Sequence, residues 1–242
     1  MKSGRVRPVV AIDGPAGAGK STVTRRVAEA LGYTVVDTGA LYRTVALACE
    51  RADVAWSDEE GVGGIAAELA LEDRLRMFQE RGRTRVVVRG EDVSDAIRTQ
   101  EMGRGASLVS ALPAVRAALL DLQRQLGREG GVVLEGRDIG SVVFPDAEAK
   151  FFLTASAEVR AERRRAELEA AGQAVDLEQV LQEVRERDRR DSERPIAPLR
   201  RAPDAVLIDS SHLTIDEAVA QIVRRVREVA GVESGSDDGA TP

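Results

Sequence analysis

Residues 14–21 read GPAGAGKS, an instance of G-x-x-x-x-G-K-[ST]. Glycines in such a run let successive backbone N–H groups turn inward, and a ring of inward N–H groups cradles phosphate oxygens. The candidate ATP-binding residues are therefore Gly14, Pro15, Ala16, Gly17, Ala18, Gly19, Lys20, Ser21 and Thr22. Lys20 would reach the β and γ phosphates, and the Ser21 hydroxyl can ligate Mg2+. A helix opening at the lysine would add its positive N-terminal end. Context supports this: the apolar run VVAID precedes the loop, and Val23, Val27 and Leu31 share one helical face after it. Lys2, Lys20 and Lys150 are the only lysines among 35 Lys and Arg residues, which leaves 32 arginines. A lysine kept against that background invites a reason. The chemistry indicated is Mg-dependent phosphoryl transfer from ATP. No N-K-x-D motif for guanine recognition is visible.

A phosphotransferase needs an acceptor site, and arginine's planar fork suits a second phosphate. DTGALYR at 37–43 offers Thr38 as an N-cap and Arg43 on the first turns of the helix it starts. LEGRDIG at 134–140 closes a buried strand. If that strand neighbours the nucleotide strand, Glu135 falls where a carboxylate would hold Mg2+ through water. Arg137 and Asp138 then follow at the carboxyl edge, where ligands bind in open α/β sheets. In VLQEVRERDRRDSER, residues Leu177, Val180, Leu181 and Val184 mark a buried helical face. Steps of seven lead from 177 and 184 to Asp191, and from 180 to Arg187 and Arg194. Inward arginines need anionic partners; Asp191 can serve some, and a substrate phosphate is the natural further one. Arg160, Arg163 and Arg164 follow the fourth strand; Arg160 and Arg164 share a face and could close over the transferring group.

The elements that must hold these residues are readable as short apolar runs: Val9 to Ile12, Thr34 to Asp37, Val132 to Glu135, Lys150 to Leu153 and Ala205 to Asp209. Helical patterns separate most of them. The fold class expected is α/β, a five-stranded parallel sheet flanked by helices. Leu75 to Phe78 and Arg85 to Val88 flank the turn-like ERGRT, which predicts a small antiparallel insert over residues 66–106. The kinase core is expected at 1–65 and 107–230, with an arginine-rich lid at about 156–175. Pro113 should open a helix running to about Leu126. The stretch 231–242, GVESGSDDGATP, reads as a disordered tail.

Bulk composition narrows the class. The chain has 242 residues, 43% of them hydrophobic, enough for one sizeable core. A net charge of −6 and 3% aromatics argue against nucleic acid as a partner. No apolar run approaches a bilayer's width, and the basic start MKSGRVRP leads straight into a strand, so neither a membrane partner nor a signal peptide is expected. Cys49 is the only cysteine, which excludes an internal disulfide and fits a reducing cytoplasm. His212 is the only histidine, which excludes a multi-histidine metal site. A cytoplasmic monomer is expected.

GPAGAGKST, DTGALYR, GEDVSDAIRTQE, LPAVR, EGRDIGSVVFPDA, ERDRRDSER and APLRRAPDAVLIDSS together resemble the bacterial cytidylate kinases, in order and spacing, over residues 8–228. The resemblance implies a P-loop kinase fold and transfer from ATP, with Mg2+, to CMP or dCMP. It implies that Arg43, Arg137 and Arg194 bind the acceptor phosphate. Ser107, Arg116 and Asp138 would read the cytosine edge, and Arg187 and Asp191 would hold the ribose or bridge to the phosphates. Another small-molecule kinase, acting on UMP, TMP or shikimate, is the alternative within the class. A non-catalytic nucleotide sensor is the alternative outside it, but a sensor has no need of inward arginines on several elements.

Overall fold

The computed structural model describes residues 5–231 apart from Glu72 and Arg81; beyond Gly231, the expected tail lies outside the described residues. The first half runs β1 (Val9–Asp13), α1 (Lys20–Leu31), β2 (Thr34–Asp37), α2 (Thr38–Arg51), α3 (Glu59–Leu69), β3 (Leu75–Glu80), β4 (Arg83–Val88) and β5 (Glu91–Asp92). A 3-10 turn at Ala96–Arg98 leads to α4 (Gln100–Val109), α5 (Pro113–Gly127) and β6 (Val132–Gly136). After a wide helical turn at Ile139–Val143 come β7 (Ala149–Thr154), α6 (Ala157–Ala170), α7 (Leu177–Glu193), β8 (Val206–Asp209) and α8 (Ile215–Val229).

All five residues of β1 are buried, as a central strand covered on both faces requires. The parallel sheet has the order β2-β6-β1-β7-β8. Alternation splits β1 between two cores. Val10 and Ile12 pack with Val23 and Val27 of α1, Phe151 of β7 and Ile222 and Val226 of α8. Val9 and Ala11 pack with Val36, Leu134, Ile139, Val143 and Phe144. Register sets the chemistry: Glu135 of β6 lies opposite Asp37 on one side and Ile12 on the other. Three strand ends thus bring Asp13, Asp37 and Glu135 to one carboxyl edge.

The antiparallel hairpin forms with Leu75 opposite Val88 and Glu80 opposite Arg83. A third strand, β5, was not foreseen; two residues carry no alternation to read. Gln79 Nε2 donates to the Val35 carbonyl at 2.9 Å, which covers part of the open edge of β2. Leu75, Val86 and Val93 share one apolar cluster with α2, α3, α4 and α5, through Leu41, Val45, Val62, Met102, Val115 and Leu119.

One detail corrects the sequence reading. Thr38 is not the N-cap of α2; Asp37 is, its carboxylate accepting from Ala40 N. Thr38 begins the helix, buried, and its hydroxyl donates to the Glu135 carbonyl at 2.7 Å. Lys150, unlike Lys20, is a strut: its Nζ donates to the Pro145 carbonyl and to Asp204. As expected, Pro113 is the first residue of its helix. The α6–α7 pair has a small core of its own, Ala161, Leu168 and Val180 with Leu177, Leu181 and Val184. Among the described residues no single helix is long and apolar enough to cross a membrane.

Helix α8 starts from a reciprocal cap: Glu217 N donates to Thr214 Oγ1 at 3.2 Å, and Thr214 N donates to the Glu217 carboxylate at 2.8 Å. Both groups are exposed and take no part in the carboxyl edge. Thr214→Ala should therefore cost about 1 kcal/mol, lower the melting temperature by about 2–4 °C and leave turnover unchanged, as thermal unfolding and a rate assay would show.

Candidate active site

The loop between β1 and α1 passes against β7 so closely that a Cβ at Gly14 would stand 1.9 Å from the Leu153 carbonyl oxygen. Gly17 has φ 76, in the region L side chains avoid. Lys20 opens α1 and folds back over the loop, donating to the carbonyls of Gly14 at 2.8 Å and Pro15 at 2.7 Å. Burial, then the neighbouring Arg137, holds its ammonium well below the usual lysine range. Ser21 Oγ donates to Glu135 Oε2 at 2.9 Å. Burial, then the facing Asp37, pushes the Glu135 carboxyl up to about 7. A serine hydroxyl and two crowded carboxylates form a hard oxygen set, and a divalent cation would relieve their repulsion; the residues fit Mg2+.

The second cluster sits beside the first. Arg43 on α2 donates to Asp37 Oδ2 at 2.6 Å. Arg137, after β6, donates through Nε to Asp191 of α7 at 2.8 Å. Burial opposes ionisation of Asp191, yet Arg137 and Arg187 hold its carboxyl below the usual range. Arg187 lies one turn away on α7; burial, then Arg137, lowers its guanidinium to about 10. Arg43 Nε, Arg187 Nε and Ser107 Oγ are among the buried polar atoms with no partner in the protein. Such orphaned groups are rare in folded proteins and point to a ligand.

Asp138 begins the third group. Its carboxylate accepts from Arg116 Nη2 of α5 and from Arg194 Nη2 at 3.2 Å. Arg116 also lies over the Tyr42 ring, 5.7 Å from its centroid. All three charged residues are buried, as is Ser107 of α4. On the lid side, Arg160 is buried and makes four bonds, to the Ala155 carbonyl, to the Ala16 carbonyl of the loop and through two N–H groups to Asp188 of α7 at 2.9 and 2.6 Å.

The sequence model of the family described as cytidylate kinase matches residues 10–228. The chain is 50% identical to a cytidylate kinase of Syntrophotalea carbinolica over 96% of its length and 97% of the relative's. It is 51% identical to that of Geobacter sulfurreducens, covering 93% and 95%. It belongs to the cytidylate kinase family. A cytidylate kinase of Neisseria meningitidis serogroup C is 48% identical, covering 91% of this chain and 98% of the relative.

In this member of the family most of the expected residues meet at one edge. Lys20, Ser21, Glu135, Arg43, Arg137, Arg187 and Asp191 form a continuous polar seam, and Asp138, Arg116 and Arg194 extend it. Arg194, expected on phosphate, instead turns to Asp138 and the Ala197 carbonyl. Arg164 is not brought to the site; it is part-exposed and bonds Glu167 on its own helix. Arg163 takes the inward place, donating to Ser210, whose hydroxyl lies 3.0 Å from the Thr154 carbonyl and 3.3 Å from the Ala18 carbonyl of the loop. Sequence reasoning missed Asp13, Asp37, Asp188 and Ser210. For Asp13 and Asp37 a signal existed: both are acids at strand ends, directly before a phosphate-loop glycine or a helix start.

A carboxyl whose folded pKa is raised favours folding most when protonated. The Glu135 contribution is fully present below about 4.5, its unfolded value, and is lost as pH rises through about 7. Glu135→Gln removes that loss. In nucleotide-free protein the variant should gain stability relative to wild type between those pH values, on the order of 3 kcal/mol. Denaturant unfolding across the range checks this; a flat difference would contradict it.

Proposed function

We propose that the chain transfers the γ-phosphoryl group of ATP directly and in line to the phosphate of CMP or dCMP, giving CDP or dCDP. The observation that carries this is a phosphate loop facing a second, incompletely paired arginine cluster. The nucleophile is a phosphate oxygen, already ionised near neutral pH, so no general base is required. Catalysis then rests on alignment and charge neutralisation.

In this reading Gly14 to Thr22 hold ATP, and Lys20 exchanges its loop carbonyls for phosphate oxygens. Ser21 and, through water, Glu135 would hold Mg2+, which would supply charge neutralisation to the transferring phosphates. Arg43, Arg137 and Arg187 take the CMP phosphate, with Asp191 keeping two of them in place. Thr38 fixes the start of α2 to β6 beneath them. Arg194 stands between the phosphate and base ends. Residues 66–106 are assigned as the insert on the monophosphate side. Residues 156–175 form the lid with Arg160, and their closure excludes water that would otherwise hydrolyse ATP. The working unit is taken to be a cytoplasmic monomer; its lone thiol, the buried Cys49, fits a reducing compartment.

Asp138, Arg116 and Ser107 would read the base. Cytosine offers a donating exocyclic amine beside accepting N3 and O2; uracil reverses the first two. Asp138 has only acceptors, and its two oxygens keep spare lone pairs beside their arginine bonds. Arg116 has only donors. The pair matches cytosine and leaves buried groups unpaired against uracil, which favours CMP over UMP or TMP as acceptor. Nothing in this pairing suits shikimate.

A coupled ADP-release assay over CMP, dCMP, UMP, TMP and shikimate tests the reading. CMP and dCMP should lead. Asp138→Asn can present a donor where cytosine needs an acceptor, so the CMP-to-UMP ratio of kcat/KM should fall by about 10-fold or more, through loss of CMP activity. An unchanged ratio would remove Asp138 from base reading.

A further inference from the structure

Asp13 is the last residue of β1, buried, and directly precedes Gly14 of the phosphate loop. Its side chain does not enter the loop. One carboxylate oxygen accepts from Ile139 N at 2.8 Å, and the other accepts from Gly140 N at 2.8 Å. Those N–H groups open the wide turn Ile139–Val143, which closes on itself through Val142 N and Val143 N donating to the Asp138 carbonyl. The first N–H groups of any helical turn lack partners within it. Here the partner comes from a neighbouring strand 126 positions away. Arg137 and Asp138 lie immediately before the clamped groups.

We propose that Asp13 is a positioning residue for the transfer: its two oxygens lock the turn bearing Arg137 and Asp138 to the strand that launches the phosphate loop, and so set the spacing of donor and acceptor. This rests on the reading of Arg137 and Asp138 as CMP ligands. One strand end then indexes both substrates. Burial pushes the Asp13 carboxyl up to about 6, against the pull of its two backbone bonds, so it is ionised and accepts twice at neutral pH. A carboxylate serves here better than an amide, because both of its atoms accept.

The test is a double-mutant cycle with Asp13→Asn and Arg137→Ala, read as steady-state kinetics for each substrate and normalised to folded protein by nucleotide binding. Asparagine keeps the volume but turns one acceptor into a donor facing an N–H. With the turn displaced, kcat/KM for CMP should fall about 10²-fold, while KM for ATP stays near the wild-type value. In the Arg137→Ala background the further loss should shrink, because Asp13 acts through the turn. Additive losses, a parallel rise in KM for ATP, or normal CMP kinetics in Asp13→Asn would overturn the inference and leave the site assignment standing. Normal CMP kinetics in Arg137→Ala alone would overturn both. Should Asp13→Asn fail to fold, Asp13→Ser, with one accepting oxygen in less volume, takes its place with the same outcomes.

Discussion

A charge taken out of water needs a countercharge within hydrogen-bonding reach, and the carboxyl edge of this sheet buries many charges. Lys20, Arg116 and Arg194 are each less than 8% exposed, as are Asp13, Glu135, Asp138 and Asp191. Arg137 and Arg187 are part-buried beside them. The acids do not fully balance the bases. Burial and mutual repulsion push Asp13 and Glu135 toward their protonated forms, while Lys20, Arg187 and Arg194 are driven below their ordinary ranges. Such a site is costly without anions and is relieved by them. Nucleotide phosphates would supply such anions to these forks and N–H groups.

The fold supplies that edge by register rather than by any one motif. Parallel pairing sets Glu135 between Asp37 and Ile12, and the next step along β1 is Asp13. The turn after β6 then has little freedom: Asp13 holds it from beneath, Thr38 bonds the Glu135 carbonyl, and Arg137 is tied to Asp191 across the cleft. Helix α7 reaches both the phosphate loop and the arginine cluster. Its Asp188 holds Arg160 against the phosphate loop, and its Asp191, one turn on, holds Arg137. Motion of the α6–α7 pair would therefore be felt at both sites, a coupling through packed, discrete contacts.

Much of this was legible in the sequence because it is local or periodic. GPAGAGKS names its own conformation, and the heptad steps along α7 correctly placed Asp191 and Arg194 inward. What stayed hidden depends on partners far along the chain. Nothing near Asp13 reveals that its acceptors face Ile139 and Gly140, and nothing near Asp188 reveals Arg160. Thr38 misled because Thr and Asp both cap helices; burial against β6 settled the choice for Asp37. Arg160 and Arg164 share a face on paper, but Arg164 is a turn further from the loop and finds Glu167 first. Ser107 and Arg116 had no local signal and came from family resemblance alone.

The central claim is that the seam of Arg43, Arg137 and Arg187 exists for the phosphate of the acceptor. Calorimetric titration with CMP and with cytidine isolates that phosphate, since the two share base and ribose. CMP should bind at least about 100-fold more tightly, and Arg187→Ala should remove most of the difference while changing cytidine little. Equal binding of the two ligands, or a difference that survives Arg187→Ala intact, would contradict the account.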